Sequence, residues 1–167
     1  MNRFWKIINW LEEYVLIIGM TIMVVLNFAN VVFRFILPQS PFSYSEELTI
    51  ILFMWVTMFG ISYGYRMFAH TVLDVFTKLL PSKFQPYIII FATLCSMAFM
   101  SLMVYTSYFT IQNQIEFGQV TPGMKLPMIV NSGALFIGAI ITLFSIFKSG
   151  REELIIHYEN SREEVVK

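Results

Sequence analysis

Four stretches of the chain carry no Asp, Glu, Lys or Arg. They run from Tyr14 to Phe33, from Leu48 to Tyr65, from Phe84 to Ile115 and from Leu126 to Phe147. Their lengths are 20, 18, 32 and 22 residues. About 20 apolar residues wound as an α-helix cross the hydrocarbon core of a bilayer. A membrane strand would need about 10 residues alternating with period two, and these stretches do not alternate. In lipid only helices and closed barrels satisfy their backbone groups. The pattern therefore predicts an all-α integral membrane protein with four transmembrane helices, over about 14–36, 47–67, 86–111 and 127–147. The third stretch exceeds one upright span and cannot hold two with a turn. It predicts a long or tilted helix whose last turns stand above the membrane. The first is too long for a signal peptide, and no small-residue cleavage site follows it. It reads as a retained anchor.

The flanks add short amphipathic helices at the interface. Asn2, Lys6, Asn9 and Glu13 share one face of the N-terminal segment, with Phe4, Trp5, Ile8 and Leu11 opposite. Trp5, Trp10 and Tyr14 suit the boundary between headgroups and hydrocarbon. From His70 to Leu80, apolar Val72, Leu73, Phe76, Leu79 and Leu80 form a helical stripe that Pro81 ends. Arg66, His70, Asp74 and Lys78 recur every four residues on the other face, so this segment is expected to lie flat on the membrane surface. Residues 149–167 form a charged tail, a solvated helix or a frayed end, behind a four-helix domain over 1–148.

Basic residues set the expected orientation. Arg3, Lys6, Arg66, Lys78, Lys83, Lys148, Arg151, Arg162 and Lys167 fall on one side, and Arg34 and Lys125 on the other. A division of 9 to 2 puts both termini in the cytoplasm by the positive-inside rule.

Composition narrows the function classes. Hydrophobic residues make up 57% of the 167 and charged residues 13%. A soluble domain carries about 25% charge, so 22 charged side chains cannot coat this one. Net charge is zero, which argues against a nucleic-acid binder. Cys95 is alone, which excludes a disulfide framework, a Cys-based metal site and a membrane disulfide-exchange enzyme. No histidine lies inside a span to hold haem. The expectation is a protein that is not an enzyme and holds no cofactor or metal of its own.

Several constellations carry two readings each. Asn27, Asn30 and Arg34 stand at i, i+3 and i+7 in the first span, with Gly19 expected on the same side. An Asn in lipid wants a partner, so this face reads as helix packing or as a ligand for a substrate or ion. Gly60 and Gly64 are four apart in the second span, and Ala134, Gly138 and Thr142 repeat that spacing in the fourth, a turn after Asn131. Small residues at this spacing let helix backbones approach. Ser43 and Glu46 fit a capping box, and Glu46 and Glu47 complement the positive end of the helix dipole. The same pair could instead dock an external partner. His70 and Asp74 read as an i, i+4 pair on a solvated face or as a contact with a partner subunit.

Transporters driven by protons or ions place ionisable residues at membrane depth. The charges here are expected at helix ends, in the amphipathic segments and in the tail. That pattern points to an accessory subunit. A small oligomeric carrier or channel, or a membrane anchor or assembly factor of another complex, are the competing readings.

Residues 4 to 148 or so resemble the small membrane subunit of tripartite ATP-independent periplasmic (TRAP) transporters, the DctQ-like family. The resemblance rests on Glu46-Glu47, Trp55, Gly60, Arg66, His70, Asp74 and Leu80-Pro81, on Thr121-Pro122 followed by Pro127, and on the size and topology. It implies a non-catalytic subunit of a sodium-coupled secondary transporter for organic acids of the C4-dicarboxylate or sialic acid type, in the bacterial inner membrane. The large multi-helix subunit would bind substrate and sodium and move as an elevator, beside which this chain enlarges the static scaffold. A periplasmic substrate-binding protein would deliver the cargo. By the resemblance, Glu46, Glu47 and the Thr121–Pro127 loop face the periplasm, and the Arg66–Lys78 ladder braces the cytoplasmic face.

Overall fold

A computed structural model describes residues 3–36, 43–77 and 85–166, with side chains over 6–36, 44–67 and 85–155. Four helices fill these ranges: α1 (Arg3–Ile36), α2 (Ser43–Thr77), α3 (Gln85–Glu116) and α4 (Ile129–Val166). All four are long and apolar enough to cross a membrane. At 32 to 38 residues each, they run to about 50 Å or more at 1.5 Å per residue. A hydrocarbon core of about 30 Å leaves turns over at the ends.

Those extra turns absorb the flanking segments. The N-terminal amphipathic segment is the start of α1, not a separate helix. The His70 segment continues α2 without a break as far as Thr77; its side chains and residues 78–84, including Pro81, lie outside the described residues. The charged tail likewise continues α4 to Val166. Helical hydrogen bonding gains from each added turn once a helix is nucleated, so no break falls where the hydropathy changes.

The helices stand in an open row in the order α1, α2, α4, α3. α1 packs mainly on α2, α2 on α4, and α4 on α3, while α2 and α3 meet weakly. Pairs of contacts give the directions. Gly19 faces Val56 and Gly60 faces Leu16, so α1 and α2 are antiparallel. Gly138 meets Met58 on α2, and Ser62 meets Ser145, so α2 and α4 run parallel at the centre. Gly150 against Thr93 and Phe136 beside Tyr108 make α4 and α3 antiparallel. Burial follows the row: 39% of the most apolar stretch of α4 is buried, against 6% in α1.

The stripe predicted in the fourth span is a packing face. Ala134 and Thr142 are fully buried, and a Cβ on Gly138 would collide with the Met58 side chain. Met100, Ala139 and Ile146 form the small apolar core, with Ile61, Tyr65 and Leu143 around it. The Gly60/Gly64 pair behaves otherwise. Gly60 has ordinary room against Leu16, and nothing lies within 4 Å of a Cβ on Gly64. Close approach falls instead at Gly19, where an added Cβ would lie 2.5 Å from Val56, and at Gly138 and Gly150. Gly19 also faces α2, not the side that Asn27 occupies; Asn27 is exposed.

Hydroxyls inside the helices are largely satisfied locally. Thr142 donates to the Gly138 carbonyl at 2.7 Å, Ser107 to Met103 at 2.6 Å and Ser101 to Met97 at 2.8 Å. Such bonds one turn back let Ser and Thr sit in an apolar setting without an interhelical partner.

Candidate functional site: polar clasps at the two ends of the spans

Two polar clusters tie the row together, one at each end of the spans. The first forms around Glu47 in the opening turns of α2. Its carboxylate accepts the Gly123 N–H at 2.5 Å and the Met124 N–H at 2.8 Å. Both donors belong to the loop between α3 and α4. Successive backbone N–H groups in a turn make a small anion cradle, and here a carboxylate of the same chain fills it.

The loop is built to hold that shape. The Thr121 N–H donates to the Leu126 carbonyl at 2.8 Å, and the Lys125 N–H returns to the Thr121 carbonyl at 3.0 Å. The Leu126 N–H reaches Thr121 Oγ1 at 3.1 Å. Val120 and Pro127 pair across the loop as an isolated bridge. Lys125 takes a left-handed backbone, φ 53°, which costs a residue with a Cβ and closes the turn. Pro122 fixes its own φ just before Gly123. At Gly123 a Cβ would lie 2.9 Å from Glu47 Oε1, so a larger residue there would push the carboxylate aside. The structure thus unites Glu47, Thr121, Pro122 and Pro127 at one place. It also separates Glu47 from Glu46, which is exposed. The Ser43 side chain lies outside the described side chains.

The second cluster centres on Arg66. Its guanidinium forms an ion pair with Glu12 of α1, the two side chains only 2% and 1% exposed. The same group donates to Ser145 Oγ on α4 at 2.8 Å and to Ser62 Oγ one turn back at 3.3 Å. Ser62 and Ser145 lie 3.0 Å apart, and Ser145 also donates to the Ile141 carbonyl at 3.0 Å. Nearby, the Tyr65 hydroxyl donates to Ser96 Oγ on α3 at 3.0 Å. Arg66 and Tyr65 together reach all three other helices. A guanidinium is suited to this because its planar fork offers several donors at once.

This cluster corrects the expected distribution of charge. Arg66 was expected on a solvated face with His70, Asp74 and Lys78; instead it is buried against Glu12 of α1. Glu13 is exposed, in keeping with the polar face of the first segment. Burying an isolated charge is costly, whereas a paired and hydrogen-bonded one can be borne. Glu12, Ser62 and Ser145 were missed. Their signal is present: Glu12, Leu16, Gly19, Met23 and Asn30 recur at helical spacing on the face α1 turns to α2, and Ser62 precedes Arg66 by one turn.

The other candidates are dispersed. Asn30 is half-buried at the edge of the α1–α2 contact, and Arg34 is exposed. Trp55 is half-buried and stacks on Phe59 with ring centroids 5.7 Å apart. His70 and Asp74 lie on the last turns of α2, and their side chains are outside those described. No predicted residue other than those of the two clasps is drawn into a shared polar site among the described residues.

Comparison with known proteins gives this arrangement a family context. The family model "Tripartite ATP-independent periplasmic transporters, DctQ component" matches residues 22–152. A Haemophilus influenzae chain assigned by name to the TRAP transporter small permease proteins is 28% identical over 95% of this chain and 93% of its own length. The C4-dicarboxylate TRAP transporter small permease protein DctQ of Vibrio cholerae is 26% identical over 64% of this chain and 46% of its own length. The sialic acid TRAP transporter permease protein SiaT of Haemophilus influenzae is 32% identical over 68% of this chain, but only 16% of its own length is covered.

Proposed function

Because the chain belongs to the DctQ component family of tripartite ATP-independent periplasmic transporters, we propose that it is the scaffold-forming small subunit of a sodium-coupled TRAP transporter for organic acids, in the bacterial inner membrane. The observation that carries this reading is the end-to-end match to a small permease, 93% of whose length is covered. The 16% coverage of the sialic acid permease supports a large membrane partner, since there the matching segment is a minor part of a longer permease. Substrate and sodium then reside in that partner, and this chain needs no cofactor. Relatives named for C4-dicarboxylate, ectoine and sialic acid stand at 26, 26 and 32% identity. That narrow spread fits a subunit that does not select the cargo; an organic acid of the C4-dicarboxylate or sialic acid type is the class we assign.

The 9-to-2 division of basic residues favours both termini in the cytoplasm. The Glu47 clasp then faces the periplasm, where the substrate-binding protein docks, and the Arg66 cluster lies toward the cytoplasm. Both clasps hold helices together, which suits a static support for a moving partner.

Deleting this chain while keeping the large subunit and binding protein tests the proposal. Sodium-driven uptake of a labelled C4-dicarboxylate or sialic acid is expected to collapse, and the large subunit to co-purify with a tagged copy. Undiminished uptake would overturn the scaffold role. The two acidic neighbours separate docking from folding. Glu46→Lys is expected to leave thermal melting unchanged and to slow uptake when binding protein is limiting. Glu47→Lys is expected to lower the melting temperature in detergent, because it empties the cradle at Gly123 and Met124. Unchanged uptake for Glu46→Lys would remove Glu46 from the docking surface.

A further inference from the structure

α1 is the least covered helix of the row, with 6% of its most apolar stretch buried. α2 takes one side of it through Leu16 and Gly19. The rest of its surface divides into two stripes of different chemistry. The first turns away from α2. Its Ile18, Val25 and Phe28 are exposed, and the hydroxyl of Thr21 among them donates to the Ile17 carbonyl at 2.7 Å. With its polar group satisfied inside the helix, this stripe asks only for acyl chains.

The second stripe lies between that edge and the α2 side. From Glu13 it steps alternately four and three residues through Ile17, Met20, Val24, Asn27 and Val31 to Arg34. All of these are exposed. Alternate steps of three and four are the spacing at which a second helix seats its side chains between those of the first, and most paired membrane helices cross in that geometry. Glu13 and Arg34 bound the charge-free stretch Tyr14–Phe33, so the stripe has one charge at each membrane boundary. Asn27 stands about 5 Å from the middle of that stretch at 1.5 Å per residue, within the hydrocarbon core. Among the described residues its amide has no hydrogen-bond partner.

We propose that this stripe receives a transmembrane helix of the large subunit, which sets a hydrogen-bonding side chain against Asn27. The inference rests on the subunit reading above and adds the face through which it works. Acyl chains have neither donor nor acceptor for an amide, so lipid leaves Asn27 unmet. A second copy fits the spacing but not the charges. Two copies share one orientation in the membrane, and pairing along this stripe about a twofold axis would set Arg34 against Arg34 and Glu13 against Glu13. Like charges brought together in this way disfavour the pairing. A lone Asn in an apolar helix seam admits one partner and one register at some cost in stability, which suits a dedicated subunit contact.

The test uses the full chain and the large subunit, each purified in detergent. A photo-reactive phenylalanine analogue is placed at Val24 on the stripe or at Val25 on the edge, two neighbours of similar exposure, 66 and 60%. The large subunit is expected to cross-link from Val24 and not from Val25. Titration of the labelled chain with the large subunit should show Asn27→Leu weakening binding roughly three- to thirtyfold, the range for losing one hydrogen bond between membrane helices. Asn27→Gln, which keeps the amide, should recover part of it. Melting of the isolated Asn27→Leu chain should match the wild type; a fall would place the partner of Asn27 within the chain and overturn the proposal. Unchanged affinity for Asn27→Leu would also overturn it, as would a Val24 cross-link to a second copy. Binding with the cross-link formed from Val25 instead would reject this face and leave the subunit reading standing. No binding to the wild type would bring down both.

Discussion

Arg66→Ala is expected to destabilise the protein more than removal of both Arg66 and Glu12 together. With Arg66 gone, Glu12 stays buried against α2 with no countercharge, and Ser62 and Ser145 lose a shared donor. Breaking a buried pair in this way costs about 3–5 kcal/mol, most of it the penalty on the stranded partner. Glu12→Leu/Arg66→Met removes both charges and keeps the volume, and is expected to recover much of the loss. The measurement is thermal melting in detergent for Glu12→Leu, Arg66→Met and the double, read as a mutant cycle, with Arg66→Ala alongside. Cross-linking between cysteines at Gly19 and Val56 would report whether α1 has left α2. Losses that simply add would mean that the two side chains do not depend on one another, and the clasp would have to be abandoned.

Gly138→Leu is expected to have the next largest effect. The first side-chain carbon alone would collide with Met58 on the neighbouring helix, and the backbone of α4 cannot retreat because Ala134 and Thr142 are buried on the same face. Membrane helices gain little from excluding lipid and rely on close packing and hydrogen bonds, so forcing α2 from α4 removes what joins them. Overpacking costs about 1–3 kcal/mol, occasionally more. Gly64→Leu is the matched control: nothing lies within 4 Å of that position, and its melting temperature should stay near the wild type. A Gly64 variant as damaged as the Gly138 variant would show that the small-residue spacing matters for a reason other than the α2–α4 contact.

This contrast marks the boundary of what the sequence makes legible. The four spans are legible because length without charge is a property of a single segment, and the bilayer demands it of each segment separately. Glu47 is legible as an acidic start to a helix for the same local reason. Its real ligands, the N–H groups of Gly123 and Met124, are not. They belong to a loop 76 and 77 positions away, and every residue has a backbone N–H. Glu12 illustrates the harder case. It sits beside Glu13 at the edge of a charge-free stretch, and local pattern alone favours neither for burial. Only the position of Arg66 two helices' worth of chain later decides between them. Gly60 and Gly64 mislead in the opposite direction: their spacing suits close packing, but packing also needs a neighbour placed against that face.

The open row has a consequence for assembly. α1 with α2 and α3 with α4 are each a pair of antiparallel neighbours, and the two pairs meet chiefly along α2 and α4. The molecule is thus two hairpins fastened by a seam, at Glu47 with the Gly123 loop, at Met58 with Gly138 and at Ser62 and Arg66 with Ser145. Each hairpin can insert before the seam closes, as helices stable singly in lipid do before they associate. Severed between residues 77 and 85, the chain should behave as two complementing fragments that find one another in the membrane.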